Sequence, residues 1–175
     1  MITRGQVLFS GVALGVLGAP LLTQFVAAAT NATADDLGIL NSALELELAA
    51  IKAYADAAAT KLLSKEVLAV ALGFQRDHQA HRDALTAAVT AGGGKPSTKP
   101  ALLEYPVLKT QSDILHFAKS VEEKAASTYL SVISEFTDRR LAQAAASILG
   151  VETTHVALLA QVLGELPAYK SGFVA

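Results

Sequence analysis

The chain has 175 residues, 52% of them apolar and 17% charged, which is one-domain size with enough apolar side chain for a sizeable core. Alanine and leucine dominate and β-branched runs are scarce, a composition that favours helices over strands. A net charge of −2 with no lysine- or arginine-rich block leaves no footprint for nucleic acid, and the lack of cysteine excludes disulfides, thiolate metal sites, cysteine nucleophiles and a lipoprotein anchor.

The N-terminus comes first. Met1 to Gln6 carries one positive charge, Arg4, and no charged residue follows from Val7 to Ala29. This is the pattern of an n-region and an h-region. Ala27-Ala28-Ala29 and Ala32-Thr33-Ala34 both offer small-residue cleavage sites. Thr3-Arg4-Gly5-Gln6-Val7-Leu8 is similar to a twin-arginine export signal that lacks its second arginine, so the ordinary secretory route stays open. The uncharged run is also long enough to span a bilayer uncleaved. Residues 1–34 therefore divide off as a signal peptide or an N-terminal membrane anchor, with membrane association through residues 7–29. A buried N-terminal helix is the poorer reading, because Gly11, Gly15, Gly18 and Pro20 interrupt a run that has no polar face.

Residues 35–175 form the second unit, with four long segments of helical periodicity. The first runs from about Asp35 to Thr60, with Thr33 or Asp35 as cap. The second runs from about Ser64 to Ala91, capped by Ser64 and closed by Gly92. The third runs from about Ser112 to Phe136. The fourth runs from Thr137 or Asp138 to Leu163, with Gly164 as terminator. The first and second are joined by a few residues, as are the third and fourth, and short connections make antiparallel neighbours. The middle connection, from Gly92-Gly93-Gly94 through Pro96, Pro100 and Pro106, is not helical; its roughly 18 residues reach about 60 Å extended, enough to run the length of a bundle. Gly92-Gly93-Gly94 follows a helix and precedes no strand, so it is no phosphate cradle. The prediction is an all-α four-helix bundle of two antiparallel hairpins joined by one long crossover.

Helical phase then places charge where the core should be. In the fourth segment, steps of four and three connect Leu141, Ala145, Ile148, Glu152, His155, Leu159 and Val162. In the second they connect Val67, Ala71, Phe74, His78, His81, Leu85 and Ala88. The first gives Leu40, Leu44, Glu47, Ile51, Tyr54 and Ala58, and the third gives Leu115, Ala118, Glu122, Ala125, Tyr129, Val132 and Phe136. Every stripe is apolar at its ends and ionisable at its middle. A buried unpaired charge costs several kcal/mol, so Glu47, His78, His81, Glu122, Glu152 and His155 at one level need a compensating partner. A metal ion is one, because carboxylate and imidazole suit iron, manganese and zinc; hydrogen bonding among the six is another. The halves also repeat: Tyr54 follows Glu47, and Tyr129 follows Glu122, at the same spacing, as a duplicated hairpin around a pseudo-twofold axis requires. Glu45, Glu123 and His116 fall on solvated faces. Arg76, Asp77, Arg82 and Asp83 flank the site, either as partners of its ligands or as surface charges.

These motifs resemble the ferritin-like di-metal carboxylate proteins, in particular the exported bacterial ferritin-like domain group, over about residues 33–165. Asn41 to Tyr54, Asp77-His78-Gln79-Ala80-His81, Glu122-Glu123-Lys124 with Tyr129, and Glu152-x-x-His155 occupy the four motif positions in order. The resemblance implies a core that binds one or two iron ions, with manganese or zinc as alternatives, and oxidase, peroxide-removing or metal-handling chemistry in the periplasm, in the medium or on the outer face of the cytoplasmic membrane. It assigns no catalytic side chain beyond the metal ligands. One position departs from it: His78 stands where the family has a glutamate that, by the resemblance, bridges two metals. A neutral imidazole does not bridge in the same way, and three carboxylates do not neutralise two divalent ions. The departure weakens the second metal position and either leaves one ion or shifts preference towards nitrogen-loving metals such as zinc or copper. It also supports the alternative, a metal-free stress or cell-envelope bundle that keeps only the scaffold.

Overall fold

The computed structural model describes residues 18–165, and among them it has five helices and no strand. They are α1 (Gly18–Ala29), α2 (Ala34–Ala59), α3 (Lys65–Ala91), α4 (Gln111–Ile133) and α5 (Arg139–Leu163). α2 and α3 form one antiparallel hairpin, α4 and α5 the other, and α2 packs on α4 between them. Met1 to Leu17, with Arg4 and most of the uncharged run, lies outside the described residues, as does the tail from residue 166 to 175.

Local chemistry sets the helix starts. Thr33 accepts from the Asp36 amide and Asp36 accepts from the Thr33 amide, a reciprocal capping box that decides for Thr33 over Asp35. Ser64 caps α3 as expected. α4 starts at Gln111, earlier than Ser112, because Thr110 and Asp113 form a second capping box. It ends at Ile133, short of Phe136, which is buried in the following turn. Asp138 caps α5, and Gly164 closes it at φ 74°, a conformation that costs glycine little.

The crossover runs the length of the bundle. At one end Gly94 lies against Leu37, near the start of α2; at the other the Gln111 side chain accepts from the Ser64 amide at 2.7 Å. Between them Asn41 donates to the Lys95 carbonyl and accepts from the Ser97 amide, while the Glu45 carboxylate accepts from the Ser97 hydroxyl at 2.7 Å. Glu45 is thus a strap for the crossover rather than a solvated charge. Leu103 and Leu108 press the same segment onto Ala50, Ala53, Phe117 and Val121.

α1 is the element that sequence reasoning disfavoured. It packs on α3 and α5, with Phe25, Ala28 and Ala29 buried beside Leu40, Leu44, Leu85, Val89, Leu141 and Ile148. Pro20 lies in its first turn, where a missing N–H costs nothing, and Gly11 and Gly15 precede it. Gly92 makes the close approach possible: a Cβ there would meet Leu37 Cδ2 at 2.7 Å and the Ala29 carbonyl at 3.0 Å. The residues 18–29 of the expected leader are therefore, in this fold, the cap on one end of the bundle. A second apolar cluster of Tyr54, Phe74, Leu115, Ala118 and Leu159 fills the other end. The ionisable layer lies between the two.

Candidate metal centre

All six side chains singled out in the sequence meet at this middle layer. Glu47 comes from α2, His78 and His81 from α3, Glu122 from α4, and Glu152 and His155 from α5; none is more than 3% exposed. Of the ten apolar positions bracketing them along the stripes of α3 and α5, seven are buried and keep them in phase; Val67 and Ala71 are half-buried and Val162 turns outward. The groups form two overlapping tetrads. One is Glu47, His78, His81 and Glu152; the other is His78, Glu122, Glu152 and His155. In each, one potential ligand atom per residue lies within 4.8 Å of all the others.

His78 and Glu152 belong to both tetrads, and their orientations explain why. His78 Nδ1 is 2.8 Å from Glu47 Oε2, and its Nε2 is 3.2 Å from Glu122 Oε1. Glu152 turns Oε1 to His81 Nδ1 at 3.1 Å and Oε2 to His155 Nδ1 at 3.3 Å. The tyrosines act across the pseudo-twofold axis: Tyr129 donates to Glu47 at 2.6 Å and Tyr54 donates to Glu122, so each hairpin orients the other's carboxylate. Asp77 resolves as a partner of the site, 3.2 Å from His155 Nε2. Phe74 stacks on His155 with ring centroids 3.9 Å apart. His116 is exposed and bonds the Ser112 carbonyl, away from the centre.

A model of the ferritin-like domain family matches residues 35–165. This chain belongs to the ferritin-like family. Among solved structures, a ferritin-like diiron-carboxylate protein of Bacillus anthracis strain Ames is 19% identical, with 82% of this chain and 97% of that one covered at a TM-score of 0.63. A conserved hypothetical protein of Mycobacterium tuberculosis is 21% identical, with 85% and 99% covered at a TM-score of 0.66. At these identities the likeness is one of fold. No curated protein matches the chain in sequence.

The electrostatics of this ferritin-like centre run against burial. Burial alone would drive the imidazoles neutral, but the carboxylates around them win. Glu122 and Glu152 raise His78 well above its ordinary value; Glu47 and Glu152 raise His81 to about 9; Asp77, Glu122 and Glu152 raise His155 to about 11. In return, burial would raise Glu47, yet His81 and His78 hold it at about 2. Glu122 is held well below the carboxylate range by His78 and His155 against the same penalty. Burial, and then the neighbouring Glu122 and Glu47, push Tyr54 and Tyr129 well above their ordinary values, so both stay protonated donors. Without metal, protons on the imidazoles thus balance the carboxylates.

That balance is incomplete at one place. Both Glu152 oxygens and His81 Nδ1 are buried without a hydrogen bond, because the contacts at 3.1 and 3.3 Å are close enough for ion pairing but misaligned for donation. Unsatisfied buried atoms on a carboxylate aimed between two histidines fit a cation as the missing partner. Two partnerships could not be assigned from the sequence. Asp36 is readable as part of a capping box, but its second bond, from the Thr137 amide at 2.7 Å, joins residues 101 apart. Nothing in the spacing of Asp77 chooses His155 as its partner over solvent.

Proposed function

We propose that this ferritin-like protein binds divalent transition-metal ions at the two tetrads and that it works outside the cytoplasm. The observation that carries the first part is Glu152, whose two buried oxygens face two different histidines without a hydrogen bond to either. The donor set of three carboxylates and three imidazoles suits iron, manganese or zinc. A bound ion would supply Lewis acidity and, if it is iron, one-electron chemistry. The chain's own residues fix the ligands: Tyr54 and Tyr129 hold Glu122 and Glu47, Asp77 holds the far nitrogen of His155, and the two apolar clusters exclude water from either end. Leu46, Leu103, Val121 and Lys124 line a small void beside Glu47 and His78, under the crossover.

A second reading, a metal-free scaffold, is favoured by the mutual compensation of the imidazoles and carboxylates. Thermal unfolding separates the two. An ion that binds only the folded chain, at 100 times its Kd, adds about 2.7 kcal/mol, or about 5–10 °C for a chain of this size. A melting temperature that iron, manganese and zinc leave unmoved, and that chelator leaves unmoved, would establish the scaffold instead. The extracytoplasmic part is supported by Arg4 and the uncharged run that follows it. Fractionation with N-terminal sequencing tests it; full-length chain confined to the cytoplasm would overturn it.

A further inference from the structure

The residues shared by the two tetrads are a carboxylate and an imidazole, and they are related by the same pseudo-twofold axis as the rest of the site. His78 precedes His81 by three residues on α3; Glu152 precedes His155 by three on α5. Glu152 divides its two oxygens between the His81 and His155 sides. His78 divides its two nitrogens in the same way, Nδ1 towards Glu47 and Nε2 towards Glu122. Both nitrogens of a fully buried ring thus face carboxylates belonging to different tetrads.

We propose that His78 bridges two divalent cations, one on each ring nitrogen, opposite a Glu152 carboxylate that bridges the same pair. The proposal rests on the metal-binding reading and specifies its form. It also answers the charge deficit that a histidine at this position creates. Glu47, Glu122 and Glu152 contribute three negative charges. A ring with metal on both nitrogens has lost both N–H protons to solvent and is an imidazolate, the fourth negative charge, and four negatives neutralise two divalent cations. His78 is then no loss of the second position but a change in what occupies it. Two bridging nitrogens and two further imidazoles make the set richer in nitrogen than an all-glutamate bridge, which selects zinc- or copper-class ions over manganese or magnesium. His81 and His155 each offer one nitrogen to one side only: their Nδ1 atoms face Glu152, and the second nitrogen of His155 is taken by Asp77.

The test is NMR of the full chain with ¹⁵N-labelled histidine, loaded with ¹¹³Cd²⁺ as a probe of zinc-class ions, alongside metal analysis after gel filtration. The expected result is two cadmium ions per chain and one histidine whose two ring nitrogens both couple to cadmium, with two others coupled through one nitrogen each and His116 uncoupled. His78→Gln should remove the doubly coupled histidine and lower the stoichiometry from two to one. If that variant does not fold, the wild-type spectrum decides alone, because no other buried histidine has its nitrogens divided between the tetrads. Cadmium bound with every histidine coupled at one nitrogen or none would overturn the bridge and leave metal binding standing. If cadmium is not retained, the bridge falls, and the thermal-shift measurement with iron, manganese and zinc decides whether metal binding falls with it.

Discussion

At the scale of single residues, the centre is a contest between protons and cations for the same lone pairs. The carboxylates hold protons on the imidazoles and cations must displace them, so metal binding should release protons and tighten as pH rises. The metal-free protein should show the opposite trend. His81 and His155 have folded values of about 9 and about 11 against an ordinary 6.5, so the stability they contribute is whole below pH 6.5 and is lost as pH climbs through those values. Glu47, at about 2 against 4.5, contributes fully above pH 4.5 and loses its share as pH falls towards 2. Melting temperature in chelator should therefore form a plateau between about pH 4.5 and 6.5 and decline on both sides; a curve rising steadily from pH 6.5 to 9 would contradict the ion network. Glu152→Gln keeps the shape and removes the charge. It should cost the metal-free protein about 3 kcal/mol in urea unfolding near pH 6, because it leaves a buried positive charge uncompensated. The same substitution should weaken metal affinity by about 100-fold or more, since outer partners of a ligand alone account for 10- to 100-fold.

At the scale of elements, the periodicities of α2 to α5 were legible because each stripe repeats over more than six turns, and N-cap side chains set the starts to within a residue or two. α1 was not legible. A glycine-interrupted apolar run has no polar face to give it a phase, so its sequence does not distinguish a leader from a helix covered by its own bundle. The burial of Phe25 makes the structural role measurable. Phe25→Ala should destabilise the chain by about 3–5 kcal/mol, the usual cost of emptying an aromatic site. Gly92→Ala should cost about 1–3 kcal/mol, because its Cβ would strike Leu37 and the Ala29 carbonyl where α1 meets the end of α3. If both substitutions are neutral in chemical denaturation, α1 does not cap the folded bundle. The crossover taught a parallel lesson. Its length predicted its course, but the strap role of Asn41 was not legible and Glu45 looked like surface, because their partners, the Lys95 carbonyl and the Ser97 amide and hydroxyl, lie more than 50 positions away.

At the scale of the whole molecule, two hairpins with reciprocal tyrosine–glutamate bonds enclose one ionisable layer between two apolar ends. The identity and level of the six centre residues could be read from phase alone, because a buried charge in the middle of an apolar stripe has few physical explanations. The division of His78 and Glu152 between two tetrads could not, since it depends on which way a ring and a carboxylate turn within a layer. The central claim is that this layer is a cation site. Its most direct measurement is an anaerobic titration of the chelator-treated full chain with iron and with zinc, read as bound metal per chain after desalting, in parallel with Glu152→Gln. The account predicts saturation at two ions per wild-type chain and a large loss of affinity in the variant; retention of well under one ion of either metal, or binding that Glu152→Gln leaves unchanged, would contradict it.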